Sequence, residues 1–392
     1  MADRLRVLAI VPSGFCFGLQ HLTLAFFGNS KATLDAHFLT TRWSDGEFVR
    51  QLDRMGLLHS ATWLGMYSRR LDWTNLRMTL ECLFRLPVAW VDFLRLIRSF
   101  RPDIVYFANH HEIILLLPLL FFIRPSVVCH MHDPSPPITF QKWSFFFWRR
   151  AIRRFFFISE NVRGRLSLLG RLDEKDVVIY NGVAIRPIEG YARKTTRFCD
   201  LFNWPHDSVI FGITGQLSPH KGHEDFILAA ALACRDQAHL RFVIGGRGPD
   251  AFFLKLSGQI KALGLSEKVG FCGWLQSAQM FYEGIDALVL ASRHDEGFGL
   301  VIAEAGERGL PVIATRSGGA VEVIIEGETG VIVEKGDVHA MGAAISRLGC
   351  DASLRRKLGQ AARANVVSHF NLETQSRRFV TLLQGLQWRD IG

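Results

Sequence analysis

Two carboxylates flank a glycine-bearing turn in Arg293-His294-Asp295-Glu296-Gly297-Phe298-Gly299-Leu300-Val301-Ile302-Ala303-Glu304, directly after the apolar run Ala287 to Leu290. If a helix opens near Gly299, its first amides have no intrahelical acceptor, and together with the helix dipole they suit a phosphate anion. Gly297 and Gly299 let a ligand approach the backbone closely, so Phe298, Leu300 and Val301 count here for their main chain. Glu304 then lies about one turn inside the helix, where an acceptor-only carboxylate can take two hydrogen bonds from ribose hydroxyls. Glu296, ahead of the turn, would face a sugar. A lone pair of glutamates would more simply be a loop carboxylate and a solvated helix charge; the glycines between them argue for a site.

Such residues need a scaffold that presents strand ends to a ligand. Val7 to Val11, Ile104 to Phe107, Val127 to His130, Phe155 to Ile158 and Val177 to Tyr180 are short apolar runs separated by helix-length amphipathic segments, the pattern of buried parallel strands. After a polar stretch near Ile188 to Cys199, taken as a linker, the runs Val209 to Thr214, Leu240 to Ile244, Val269 to Cys272, Ala287 to Leu290 and Pro311 to Thr315 repeat it. The expected fold class is α/β, with two Rossmann-like doubly wound domains facing across a cleft. Their expected extents are 1–190 and 200–370, with a terminal helix in 371–392 packing back on the first domain. A chain of 392 residues is long enough for two cores.

The stretch from Glu296 to Glu304 resembles the family-4 retaining glycosyltransferases of GT-B fold, whose mark is two glutamates separated by seven residues. The resemblance continues through Gly309-Leu310-Pro311-Val312-Ile313-Ala314-Thr315, Gly318-Gly319-Ala320-Val321-Glu322 and Gly327-Glu328-Thr329-Gly330-Val331, and appears earlier in Gly215-Gln216-Leu217-Ser218-Pro219-His220-Lys221-Gly222. It implies a nucleotide-diphosphate sugar as donor, gripped by Lys221, with Gln216 standing where the family has an arginine. That departure removes a charge, so Lys221, the helix-start amides and Arg247 would hold the diphosphate. Arg247 sits in Gly245-Gly246-Arg247-Gly248-Pro249, which looks like the family's glycine turn beside the donor and reads equally as an ordinary strand-to-helix turn. Gly273-Trp274-Leu275 resembles the segment bordering the base; Leu275 is assigned to the donor site and Trp274 to the core. From the first domain, His132 in His130-Met131-His132-Asp133-Pro134 resembles the family's histidine aimed at the donor sugar, with a packed histidine and His130 as competing readings. Ser159-Glu160 and Val178-Ile179-Tyr180-Asn181-Gly182-Val183 look like structural marks. Gly18, with Gly14, stands near where the family carries paired glycines. The catalytic assignments are therefore His132 and Glu296. The implied reaction moves a hexose to an acceptor hydroxyl with retention, in polysaccharide or glycolipid assembly.

Charge is uneven along the chain. Of the 46 Lys+Arg and 37 Asp+Glu, residues 1–186 hold 24 and 15, so the net +9 lies in the first half, and only Lys31, Lys142 and Lys175 there are lysines. Arginine suits bidentate contacts with anions, and interleaved Phe and Trp favour an anionic membrane over nucleic acid. The mixed stretch Trp143 to Phe157 reads either as a membrane-surface segment or as a helix entering a core strand. Exposure of Phe145 and Trp148 would mark the first and their burial the second. Ile113 to Ile123 spans too few residues for a bilayer, which needs about 20, and reads as a buried helix or an interfacial segment. Seven scattered cysteines without a C-x-x-C pair exclude a disulfide framework or zinc knuckle. The short apolar run at the start is too brief for a secretory signal, so a cytoplasmic setting is expected, on the inner membrane face if the chain is peripheral. No carboxylate cluster has metal-ligand spacing; no cofactor and no metal are expected. The partners are a nucleotide-sugar donor and a glycan or lipid-linked acceptor. Two other classes remain: a non-catalytic nucleotide-sugar binding protein, and a nucleotide-dependent oxidoreductase, which no G-x-G-x-x-G after the first strand supports.

Overall fold

A computed structural model describes residues 4–12, 18–65, 73–132, 140–187, 196–275 and 277–386. The chain divides into two compact units, one formed by Met1–Gly182 with Leu372–Gly392 and the other by Val183–Asn371.

The first unit holds seven strands: β1 (Leu5–Ile10), β2 (Leu34–Thr41), β3 (Leu58–Thr62), β4 (Ile104–Phe107), β5 (Ser126–Met131), β6 (Arg154–Phe157) and β7 (Val177–Val178). Their order is β3-β2-β1-β4-β5-β6-β7, and every pairing is parallel. The central strands are buried on both faces, which is why β4 and Val127 to Cys129 of β5 read as apolar runs. β2 and β3 escape that signal: β2 is interrupted by Asp35 and His37, and β3 is a half-exposed edge strand. The core gathers Phe26 and Phe27 of the helix Gly18–Asn29, Phe38, Tyr106 and Phe156, together with Phe379 and Leu383 of the helix Leu372–Gln384. The last helix therefore belongs to the first unit's core. The helix His111–Leu120 buries Ile113, Leu116 and Leu120, while Phe121 and Phe122 beyond it are exposed. Among the described residues no helix is long and apolar enough to cross a membrane.

The stretch from 143 to 157 is a helix followed by β6. The helix Phe140–Ala151 turns Phe145 (4% exposed) and Trp148 (1%) into the core, so the membrane-surface reading of this segment is overturned. One of its arginines is engaged within the fold: Arg149 lies 3.5 Å from both Asp173 and the buried Asp176.

The second unit holds β8 (Val209–Thr214), β9 (Leu240–Gly245), β10 (Val269–Gly273), β11 (Ala287–Leu290), β12 (Val312–Thr315) and β13 (Gly330–Val333), in the order β10-β9-β8-β11-β12-β13 and again wholly parallel. In the stretch taken as a linker, residues 188–195 lie outside the described residues. Arg197–Phe202 is already helical and buries Phe198 and Cys199. The order runs outward in both directions from the β8/β11 pair. In such sheets ligands bind outside the carboxyl ends of the strands where the order reverses, which directs attention to the loops leaving β8 and β11.

Candidate functional site

The loop after β8 passes through Gly215–Ser218, a tight turn at Pro219–Lys221 and Gly222 before the helix His223–Ala233. Gly222 has φ +69°, and a Cβ there would lie 1.8 Å from the carbonyl oxygen of Ala291 at the end of β11. Only glycine lets the two loops touch. Further ties hold them: the Arg293 amide donates to the His220 carbonyl at 2.9 Å, and the Arg293 guanidinium makes a two-pronged contact with Asp225 at 2.8 and 2.6 Å. His220 and His294 share a hydrogen bond between their Nδ1 atoms at 3.0 Å.

Lys221 and Glu296 meet in consequence. The Lys221 ammonium donates to Oε1 of Glu296 at 2.7 Å and to Oε2 at 3.0 Å, and the Ser292 hydroxyl donates to Oε1. The backbone of Glu296 is pinned as well, donating to the Ser317 carbonyl at 3.3 Å and accepting from the Gly319 amide at 2.9 Å. The carboxylate thus stands in a fixed place, spending both oxygens on the cation.

A helix does open after Gly299, running Leu300–Glu307; Gly299 is left-handed (φ 82°, ψ 51°), and a Cβ on it would lie 3.0 Å from Cα of Ala320. The first intrahelical bond of this turn runs from the Ile302 amide to the Gly299 carbonyl at 2.9 Å, and the amides of Leu300 and Val301 precede it, in the positions that suit an anion. Phe298 turns its ring into the core against Phe370, with centroids 5.5 Å apart, so its side chain is not a ligand group. One turn along the helix, Glu304 accepts from the Tyr282 hydroxyl at 2.6 Å. Burial pushes the Glu304 carboxyl above its usual range, and the Tyr282 bond opposes that shift; burial and the Glu304 carboxylate push the Tyr282 phenol well up.

The glycine turn after β9 lies against the loop carrying Gln216. The Leu217 amide donates to the Arg247 carbonyl at 2.8 Å, and Cβ atoms on Gly246 and Gly248 would lie 1.7 Å from the Gly215 carbonyl oxygen and 2.2 Å from that of Leu217. Backbone packing therefore accounts for these glycines, while the side chains of Gln216 and Arg247 both face solvent. Beyond β10, Leu275 is half-buried, but Trp274 is 57% exposed and is not the core residue expected; the chain turns at Gly273 (φ +66°) and carries the indole outward.

In the first unit His132 follows β5. The His130 ring is buried and shares a 2.8 Å hydrogen bond through Nδ1 with Tyr106, a core role. His132 sits with its ring centroid 4.4 Å from that of His130, and its Nε2 is buried without a partner among the described residues. Burial lowers its pKa to about 3, so it stays neutral. Gly18 begins the helix Gly18–Asn29 with open space where a Cβ would be; Gly14, Asp133 and Pro134 lie outside the described residues. Ser159 caps the helix Glu160–Ser167 and Gly182 abuts Leu372, both structural uses. Tyr282 and Ser292 are the site residues that sequence reasoning missed. Ser292 stands next to the motif, whereas Tyr282 reaches Glu304 only through the fold.

Two family profiles match in tandem: that of the Glycosyltransferase Family 4 over residues 34–186 and that of the glycosyl transferases group 1 over residues 200–365. The chain belongs to the family-4 glycosyltransferases. Among relatives of this family-4 member, the lipopolysaccharide core biosynthesis glycosyltransferase LpsE of Rhizobium meliloti (strain 1021) is 35% identical over 121 residues, 31% of this chain and 35% of that one. The lipopolysaccharide core biosynthesis mannosyltransferase LpcC of Rhizobium leguminosarum bv. viciae is 31% identical over 170 residues, 43% of this chain and 48% of that one. The chain thus spans about half or less of the length of the curated relatives it matches. Among solved structures, Anabaena HepE in complex with UDP and glucose superposes with a TM-score of 0.78 at 21% identity, over 97% of this chain and 100% of that one. This likeness, with the two parallel sheets, shows the GT-B fold.

Proposed function

We propose that this chain is a retaining hexosyltransferase that takes a sugar from a nucleoside diphosphate and transfers it to an acceptor hydroxyl. The observation that carries the reading is the meeting of Lys221 with Glu296 at the reversal point of the sheet, beside the helix that opens at Gly299. As the bond from the sugar to the diphosphate breaks, negative charge grows on the departing phosphate. Lys221 and the amides of Leu300 and Val301 supply fixed positive ends for that charge, which in a dry site is worth about 2.7 to 4 kcal/mol per donor. Glu304, steadied by Tyr282, accepts from the ribose hydroxyls. Glu296 orients the sugar, and His132, kept neutral by burial, is the other proposed catalytic residue. Arg247 and Gln216 supply the remaining polar contacts to the phosphates, and Leu275 borders the base. The counter-charge comes from the protein, so the reaction is metal-independent and proceeds in EDTA.

For the acceptor, the relatives named above are described as lipopolysaccharide core enzymes, and the arginine excess of the first half suits an anionic surface. We assign the chain to glycan or glycolipid assembly on a cytoplasmic membrane face. The test is a donor screen: thermal stabilisation and slow hydrolysis of UDP, GDP and ADP sugars, beside Glu304→Ala. Stabilisation by one nucleotide family, lost in the variant, supports the reading; stabilisation without any turnover, with acceptors supplied, leaves a binding protein instead.

A further inference from the structure

The longest helix, Trp73–Phe100, is apolar on two opposite sides. One side packs inward through Cys82, Ala89, Phe93 and Phe100, all buried. On the other, Trp73, Leu76, Leu80, Phe84, Val88 and Val91 recur at steps of three and four and are exposed, Phe84 at 86% and Trp73 at 81%. That spacing keeps them on one line along the helix. An apolar stripe of this length in water is unfavourable, so an occupant is to be expected.

Charge identifies the occupant. Arg77 lies one turn beyond Trp73 and Arg95 one turn beyond Val91, with Arg98 following, and all three are exposed. The acids of the helix are engaged: Glu81 pairs with Arg85 at 3.0 Å, and Asp92 accepts from Thr62 at 2.8 Å and lies 3.7 Å from Arg95, whose side chain remains 75% exposed. The stripe is therefore bordered by arginines in the half of the chain that holds 24 Lys+Arg against 15 Asp+Glu. A second copy of the chain would bring like charges together along this line, and four of the six stripe residues, Leu76, Leu80, Val88 and Val91, are aliphatic and neither stack on bases nor hydrogen-bond to them. Aliphatic and aromatic side chains inward with arginines at the border is the arrangement of a helix lying in a headgroup layer.

We propose that the outer face of the helix Trp73–Phe100 docks this chain on an anionic lipid surface, with Leu80 and Phe84 entering the acyl boundary and Arg77 and Arg95 meeting lipid phosphates. This deepens the membrane-side part of the proposed function and rests on that part alone, not on the donor site. The test is flotation of the full chain with vesicles of phosphatidylcholine, alone or mixed with phosphatidylglycerol, at low and high salt. Binding is expected to the mixed vesicles and to weaken with salt. Arg77→Gln should lower partition about fivefold, the weight of one basic residue at such a surface. Leu80→Asp with Phe84→Asp should lower it about 100-fold or more, given about tenfold for each apolar side chain withdrawn. Both positions are exposed, and circular dichroism checks the fold. Nucleotide-induced stabilisation in the same samples should be unchanged, so a dead donor site and a failed docking surface are told apart. Absence of binding at low salt, equal binding to neutral vesicles, equal binding by the doubly substituted chain, or a dimer that the double substitution dissolves without any vesicle binding, overturns the proposal.

Discussion

Lys221 is the proposed grip on the donor diphosphate, yet in the free chain its ammonium is taken by Glu296 at 2.7 and 3.0 Å. Nucleotide binding must then compete with an ion pair, and the two partners should respond to mutation with opposite signs. A bare Coulomb energy at about 4 Å and an effective dielectric of about 20 is about 4 kcal/mol. The two side chains are 35% and 18% exposed, so solvent screening and desolvation leave about 1 kcal/mol. In Glu296→Gln that amount returns to the ligand, and a nucleoside diphosphate without its sugar should bind about fivefold more tightly. Transfer should nevertheless fall about 100-fold, because the group that orients the sugar is gone. In Lys221→Ala the same ligand should lose a charge-assisted bond worth about 1.5 to 3 kcal/mol, at least tenfold in affinity. Calorimetric titration with UDP, GDP and ADP measures both variants, with transfer assayed alongside. Weaker or unchanged nucleotide binding in Glu296→Gln would refute the competition and with it the placement of the diphosphate on Lys221.

Removing the Tyr282 hydroxyl takes away the bond that opposes the upward push of burial on Glu304; Tyr282→Phe should therefore raise donor KM about tenfold, most steeply toward acid pH, with kcat nearly constant. Gly222→Ala forces a Cβ onto the Ala291 carbonyl oxygen at a positive φ; a loss of more than about 2 kcal/mol in the second unit is expected, read as a lowered melting temperature. Phe379→Ala empties a place among Phe26, Phe27 and Tyr106 and should cost about 3 to 5 kcal/mol, seen as early melting of the first unit. The buried His223 is lowered by desolvation to about 4. A depressed folded value gives stability that is whole above the ordinary 6.5 and is lost as pH falls toward about 4, at about 1.4 kcal/mol per pH unit. Melting temperature should drop through that window, less steeply in His223→Gln; equal slopes would contradict the assignment.

The sequence made the inner strands legible because burial on both faces favours apolar residues, as in β4 and in Val127 to Cys129 of β5. It hid β2 and β3 because strands near an edge carry polar residues such as Asp35 and Ser60. Lys221, Glu296 and Glu304 stood out through the glycines around them, and the structure explains Gly222 and Gly299 by close backbone approach. Tyr282 had no such marker: its tie to Glu304 spans 22 residues and exists only once the sheet is formed. Aromatic and arginine content misled at 143–157, where neighbouring residues face opposite ways, Phe145 and Trp148 inward and Phe146 and Phe147 outward. At the helix Trp73–Phe100 apolar residues lie on two opposite sides, and only the structure separates the packed side from the bare one.

The helix Leu372–Gln384 completes the core of the unit that begins the chain. During synthesis from the amino end, Phe26, Phe27 and Tyr106 must wait for Phe379 and Leu383, which emerge some 270 residues after Tyr106 or later. The second unit is continuous from Val183 to Asn371 and can close first, against the usual amino-to-carboxyl order of domain folding. The nascent first unit thus keeps Phe26, Phe27 and Tyr106 uncovered until that helix emerges, and a chain cut short before Leu372 keeps all residues of the second unit but lacks part of the first unit's core.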